Sequence, residues 1–411
     1  MTIRDRKVKN INFNQSRTFG VELELTGYDT SKASDWLHSN GYEAYTSDLQ
    51  ILADFLSYKT GLRVNGGRGY RSTNPSQNES NTSTWDLKTD GSVGGMGLEL
   101  VSHILKGNDG LSELKEICSA LNYVDATVNR SSGLHVHHSR KNFPLSAEAQ
   151  LMMLYNANAV AISSVITPSR VNSGYGGFNN PRDLATASDY ANNRQHENAL
   201  DPRGNNTNLH NSGRVAVNLN PRYTIEFRQH SGSTDYNKIA NWIFLTQAFM
   251  NEAKRRVTSK SADRKNLASV SASVRMIVDC KIVQWSSASD NPNATKVFNA
   301  FVKQSVRTMM KSLKLRYVTK SLYPTDDHMN GLGTYLLNRS KELTIGRKDR
   351  TMSANTSAFA SALYGVNGSY TLVGQTQFNK NQVAKATVKA NDIIHTVSAP
   401  YWDGKVTKLY Q

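Results

Sequence analysis

The sequence is nearly devoid of cysteine. Cys118 and Cys280 are the only two in 411 residues. Two thiols so far apart do not make a disulfide framework, so the fold needs an ordinary packed core, and a reducing compartment suits it. Long apolar runs are missing too. No stretch approaches the ~20 apolar residues that span a bilayer. None follows the opening Met1-Thr2-Ile3-Arg4-Asp5-Arg6-Lys7. The expectation is a cytoplasmic protein without a membrane span or signal peptide. Several catalytic signatures are also absent. There is no Gly-x-x-x-x-Gly-Lys-Ser/Thr phosphate loop, no His-Glu-x-x-His and no Gly-x-Ser-x-Gly. The glycines of Gly91-Ser92-Val93-Gly94-Gly95-Met96-Gly97 precede a strand-like segment rather than open a helix, which argues against a dinucleotide fingerprint.

What is present is divided unevenly. The net charge is +16. Residues 1–250 hold 24 basic and 23 acidic residues, leaving +1, while residues 251–411 hold 25 and 10, leaving +15. The basic character therefore belongs to the C-terminal part. It fits an anionic partner such as nucleic acid, and equally a solvated basic helical face. The length admits one large domain with an appendage, or two to three average domains. We expect a catalytic domain over 1–257 and a basic, partly helical region of unassigned role over 258–411.

Along the chain, residues 19–26 alternate apolar and charged, as a half-buried strand does. A helix is expected near 30–39, capped by Thr30 or Ser31. Residues 65–84 read as an exposed loop. Leu98–Val101 reads as a strand, and Leu111, Leu114, Ile117 and Leu121 mark one face of a helix. Residues 147–166 look like a buried helix, 214–230 like two strands and 236–257 like another helix. The Asn- and Gly-rich segment 171–213 is expected to be a lid or plain disorder. Tyr175, Phe178 and Tyr190 within it could stack on a ring. Segments 264–284 and 295–315 read as basic helices, and 352–411 is polar and poorly patterned.

Three strand-like segments share one design. Val21, Leu23 and Leu25 alternate with Glu22 and Glu24; Leu134 and Val136 with His135 and His137; Ile225 and Phe227 with Glu226 and Arg228, with His230 expected to continue that face. Side chains alternate across a strand. A sheet of these strands would be apolar on one face and carry paired carboxylates, imidazoles and a guanidinium on the other. A lone Glu-x-Glu is ordinarily a solvated strand face, and a lone Glu-x-Arg a surface ion pair. The three together suit a metal-bound polyphosphate: adjacent carboxylates repel unless a cation sits between them, Mg²⁺ takes oxygen ligands, and Arg228 offers a forked donor. Zinc at His135 and His137 is the rival, with His103, His138 or His230 as a further ligand.

Ser132-Gly133-Leu134-His135-Val136-His137-His138-Ser139 is similar to the Ser-Gly-x-His-x-His-x-Ser signature of glutamine synthetases. The closer resemblance is to the amidoligase family, a branch of the glutamine synthetase-like carboxylate–amine ligases. Its carriers here are Phe19–Glu24, Asp90–Ser92, Gly97–Ser102, Gly133–His137, Asn218–Asn220 and Thr224–His230. The resemblance covers about residues 17–250. It implies an α+β fold in which an antiparallel sheet binds ATP on its concave face, with helices on the other. It implies ATP and Mg²⁺ (or Mn²⁺) as cofactors, and small-molecule or peptide carboxylate and amine substrates joined through an acyl phosphate. Glu22, Glu24, Glu99, His135 and Glu226 would be metal ligands. His137, Arg228, Ser139 and Arg170 would contact ATP, and Arg214 phosphate or the substrate carboxylate. Asp90 would orient the amine or take its proton, though a plain turn role before Gly91 suits it better. The alternatives are a phosphotransferase on the same scaffold, and a degenerate scaffold acting as a nucleic-acid- or assembly-binding protein.

Overall fold

Alternating sequence becomes an open, mostly antiparallel sheet in a computed structural model. The residues described are 14–43, 47–66, 83–171, 174–179, 213–258, 306–313, 315, 332–345 and the strands of 371–400. The chain divides into two compact units. One comprises Phe13–Asn142 and His210–Gln247, the other the remaining segments.

The first unit is an α+β assembly. Its strands are β1 (Thr18–Leu25), β2 (Arg63–Gly66), β3 (Thr84–Thr89), β4 (Leu98–Val101), β5 (Leu105–Lys106), β6 (Gly133–Ser139), β7 (Val217–Asn218) and β8 (Thr224–Ser231). They lie in the order β2-β3-β4-β1-β6-β8-β7, with β5 also on β1. Only the β2–β3 pair is parallel. Glu24 faces Glu99 on β4, and Glu22 faces His135 on β6. This register aligns the ionisable residues of neighbouring strands on one face. Phe19, Val21, Leu23, Leu25, Leu134, Val136, Ile225 and Phe227 are buried on the other.

Helices cover that apolar face. Trp85 of β3 donates from Nε1 to Glu113 on α3 (Gly107–Tyr123) at 2.5 Å. His138 Nε2 lies 2.8 Å from the Thr246 hydroxyl on α7 (Tyr236–Thr258). α1 (Thr30–Ser39) and α2 (Asp48–Thr60) join α3 through Trp36 edge-on to Phe55 and Phe55 stacked on Tyr123. The cap of α1 is Asp29, whose carboxylate accepts from the Lys32 amide at 3.0 Å. Neither Thr30 nor Ser31 caps it, because both already lie inside the helix.

Two glycines fix the β3–β4 connection. Gly95 and Gly97 have φ of +72° and +56°. A Cβ on Gly95 would meet the Thr26 carbonyl oxygen at 2.2 Å, and one on Gly97 the Asp90 oxygen at 2.5 Å. Gly95→Ala should therefore cost about 2 kcal/mol in denaturant melts, from left-handed backbone strain plus the clash. An unchanged midpoint would contradict this geometry.

In the other unit, residues 147–166 form two helices rather than one: α4 (Leu145–Ala157) and α5 (Ala159–Val165), separated at Asn158. Every residue from Leu145 to Asn156 is buried, Glu148 and Gln150 included. α6 (Pro168–Val171) follows. Phe178 packs on Tyr155, ring centroids 6.1 Å apart, and Tyr175 is exposed. Tyr190, the rest of the expected lid, and segment 264–284 lie outside the described residues. A helix occupies 306–312 within the expected basic segment 295–315. α8 (Leu332–Ile345) packs against α5. The expectation that 352–411 lacks pattern is overturned. β9 (Thr371–Leu372), β10 (Gln377–Phe378), β11 (Val383–Ala390) and β12 (Ile393–Pro400) form an antiparallel sheet ordered β10-β11-β12, with β9 on β11. Val383-Ala384-Lys385-Ala386-Thr387-Val388-Lys389-Ala390 does alternate, with small residues diluting the signal.

Burial pushes the Cys118 thiol up from its usual range. It should resist thiol-specific reagents at neutral pH in the native protein and react once unfolded. Quantitative labelling of native Cys118, read by peptide mass, would contradict its burial. No described helix is long and apolar enough to cross a membrane.

Candidate active site

Glu22, Glu24, Glu99, His135 and Glu226 come together on one sheet face, all buried. Their ligand atoms form two groups, Glu22/His135/Glu226 and Glu24/Glu99/His135, each within 4.8 Å. His135 stands between them. Its Nδ1 is 2.8 Å from Glu22 and 3.5 Å from Glu226, and its Nε2 is 3.4 Å from Glu24. Oxygen and imidazole donors at this spacing fit a hard divalent cation.

Each carboxylate is also held from behind. The Gly133 amide donates to Glu24 Oε2 at 2.5 Å. The Asn218 amide donates to Glu226 Oε2 at 2.6 Å, and Asn218 Oδ1 accepts from the Asn220 amide at 3.0 Å. This gives Asn218-Leu219-Asn220 a physical role: it orients Glu226. Arg140, at the end of β6, donates to the Pro221 and Leu219 carbonyls at 2.7 and 3.1 Å and so ties down the β7–β8 turn. Arg228 pairs with Glu226, and Lys88 with Glu99 at 2.7 Å.

His137 is buried with both nitrogens in protein contacts: Nδ1 lies 3.0 Å from the Thr224 hydroxyl and Nε2 3.1 Å from Glu22. Burial alone would raise the Glu22 carboxyl, but the charge on His137 and hydrogen bonds with both imidazoles hold it well below the usual range. Burial works against a charged His137, and the Glu22 and Glu226 carboxylates outweigh it, so its pKa is raised. The Glu99 carboxyl is pushed up to about 7, first by burial and then by the charge of Glu22, against the pull of Lys88.

The expected place of His230 is wrong. Between Leu134 and Val136 the β6–β8 register shifts, so Leu134 faces His230 while Val136 faces Phe227. Between these pairs one residue of β6, His135, opposes two of β8, Arg228 and Gln229, a β-bulge. The extra residue turns His230 to the apolar face, where its ring lies 5.1 Å from Trp242. His138 is on that face too, against Thr246. His103 is bound to Glu113 at 2.6 Å. The further ligands considered for zinc are therefore held by other partners.

The remaining candidates are more dispersed. Asp90 Oδ1 accepts from the Ser92 amide at 2.8 Å, as a turn residue does. Ser139 Oγ accepts from the Lys141 amide at 3.2 Å. Arg214 is exposed just before β7. Arg170 is buried on α6, in the other unit. Two contributors escaped sequence reading, Lys88 and Thr224. Trp85-Asp86-Leu87-Lys88 carries the same alternation as the other three strands, which sets Lys88 apart from the apolar face but does not place it beside Glu99.

None of the curated proteins compared with the chain matches it. A family model does, over residues 15–250, and its description is "Putative amidoligase enzyme". The matched span contains all eight strands of the large sheet. Because it covers more than half of the sequence, the chain belongs to the amidoligase family, a family of ligase-type enzymes.

Proposed function

We propose that the protein is an ATP-dependent carboxylate–amine ligase that forms an amide or isopeptide bond. The observation that carries this reading is the buried set Glu22, Glu24, Glu99, His135 and Glu226, with an arginine at its edge, inside the matched span. The donor set suits Mg²⁺ or Mn²⁺. When bound, the metal and nucleotide would supply a polarised γ-phosphoryl group for transfer to the substrate carboxylate, and the resulting acyl phosphate would yield to an amine.

The chain's own residues position that chemistry. Glu22 and Glu226 offer oxygens on either side of His135 Nδ1. Arg228, the more exposed partner of Glu226, is the group we assign to phosphate oxygens. His137 acts from beneath by holding Glu22. Burial of the whole set keeps its electrostatics strong, since charges interact more in a low-dielectric site.

Hydroxylamine provides the test. It intercepts acyl phosphates as hydroxamates without requiring the natural amine. Incubation with ATP, Mg²⁺, hydroxylamine and a library of carboxylic acids and acidic peptides should give ADP, phosphate and a hydroxamate with at least one acid. ADP release accompanied by phosphorylated product and no hydroxamate would favour a phosphotransferase instead. No ADP release across the library would count against catalysis.

A further inference from the structure

We propose that this sheet face is built for one protein-held divalent cation, at Glu22, His135 and Glu226, and that the Lys88 ammonium fills the place of a second beside Glu24 and Glu99. The inference rests on the metal-dependent reading above.

The two possible ligand groups share one imidazole. A neutral imidazole has one nitrogen lone pair to give, and the other nitrogen carries hydrogen. His135 Nδ1 points to the Glu22/Glu226 pair, at 2.8 and 3.5 Å, and Nε2 points to Glu24, at 3.4 Å. Ligation through Nδ1 leaves an Nε2–H that donates to Glu24. The other Glu24 oxygen already accepts the Gly133 amide. The second group then has no imidazole donor, and its carboxylates have partners from the chain itself.

Lys88 decides between the two groups. Strand register sets Lys88 opposite Glu99, and Glu99 opposite Glu24, in one row across three strands. Lys88 Nζ lies 2.7 Å from Glu99, with the two side chains only 11% and 8% exposed. A dication between Glu24 and Glu99 would lie against this ammonium in a water-poor site, where like charges repel strongly. The first group also has a cation, Arg228 on Glu226 Oε1, but that side chain is 20% exposed and has room to swing toward solvent or a phosphate, whereas Lys88 is more enclosed. Beside Glu22 lie the imidazoles of His135 and His137 rather than an ammonium. One half of the face thus carries a permanent charge that does not exchange with solution metal, and any further ion would arrive with the nucleotide.

Mn²⁺ alone, added to the full chain without nucleotide and followed by electron paramagnetic resonance and equilibrium dialysis, tests this. The wild type should bind one Mn²⁺ per chain, with an uncoupled spectrum. Lys88→Met should bind two and show the spectrum of spin-coupled neighbours. Lys88→Arg, which keeps the charge, should stay at one. Two ions on the wild type overturn the proposal, as does a Lys88→Met chain that melts like the wild type and still binds one. If Lys88→Met does not fold, Lys88→Gln takes its place, and the wild-type count alone remains decisive against a second ion. A wild type that binds none removes the metal-dependent reading, and this inference with it.

Discussion

Glu22→Ala is expected to lower the affinity for Mg·ATP by roughly a hundredfold or more, by analogy with the loss of groups that hold a metal. Glu22 is the hub of the cluster. Its Oε2 lies 2.8 Å from His135 and its Oε1 3.1 Å from His137. Alanine would remove one oxygen donor and also release the imidazole expected to ligate beside it. The effect should exceed that of Arg228→Ala, because Glu22 is itself an oxygen donor of the set, whereas Arg228 is the cationic partner of one, Glu226. Calorimetry at fixed Mg²⁺ gives the comparison, with a melting curve to show that the variant is folded. Glu22→Gln keeps the shape and removes the charge, so it should lose nearly as much. A folded Glu22→Ala protein with unchanged Mg·ATP affinity would sink the proposed function.

The parts legible in the sequence are those governed by local geometry. A strand must alternate, so the ionisable pairs of β1, β6 and β8 were visible before any partner strand was known. The covering helix α3 was visible because Leu111, Leu114, Ile117 and Leu121 repeat at helical spacing. What could not be read depends on two strands at once. The bulge in β8 exists only relative to β6, and it alone decides that His230 faces Trp242 rather than the carboxylates. Lys88 is similar: a lysine on an alternating strand is an ordinary surface residue until the β3–β4 register sets it opposite Glu99. Asn218 has the same character, since its amide matters only through Glu226 across the hairpin. α2 also buries Ile51, Leu52, Phe55 and Leu56 at helical spacing, a local pattern of the same legible kind that the expected elements did not include.

Glu99 leads to a second large effect, in stability rather than binding. Its folded-state carboxyl is pushed up to about 7 from an ordinary value of 4.5. The protonated form is therefore the one the fold prefers. Below the unfolded value both states are protonated and the contribution of Glu99 is complete. As pH rises through about 7, the folded protein must also ionise a buried group beside Glu22, and that contribution is lost. A displacement of this size corresponds to about 3 kcal/mol. Glu22 and His137 titrate in the same cluster, with the Glu22 carboxyl held low and the His137 imidazole raised, so the wild-type profile alone mixes several groups. Glu99→Gln isolates the one of interest, because glutamine imitates the protonated acid. In chelator-treated protein the variant should match the wild type near pH 4.5 and exceed it by about 3 kcal/mol at pH 8, measured by urea unfolding. The same variant should bind Mn²⁺ at Glu22, His135 and Glu226 with the wild-type count of one, since Glu99 belongs to the group that Lys88 occupies. Equal stability of the two proteins at pH 8 would mean that Lys88 fully offsets the burial of Glu99, and that the carboxylates of this face cost the fold far less than their burial implies.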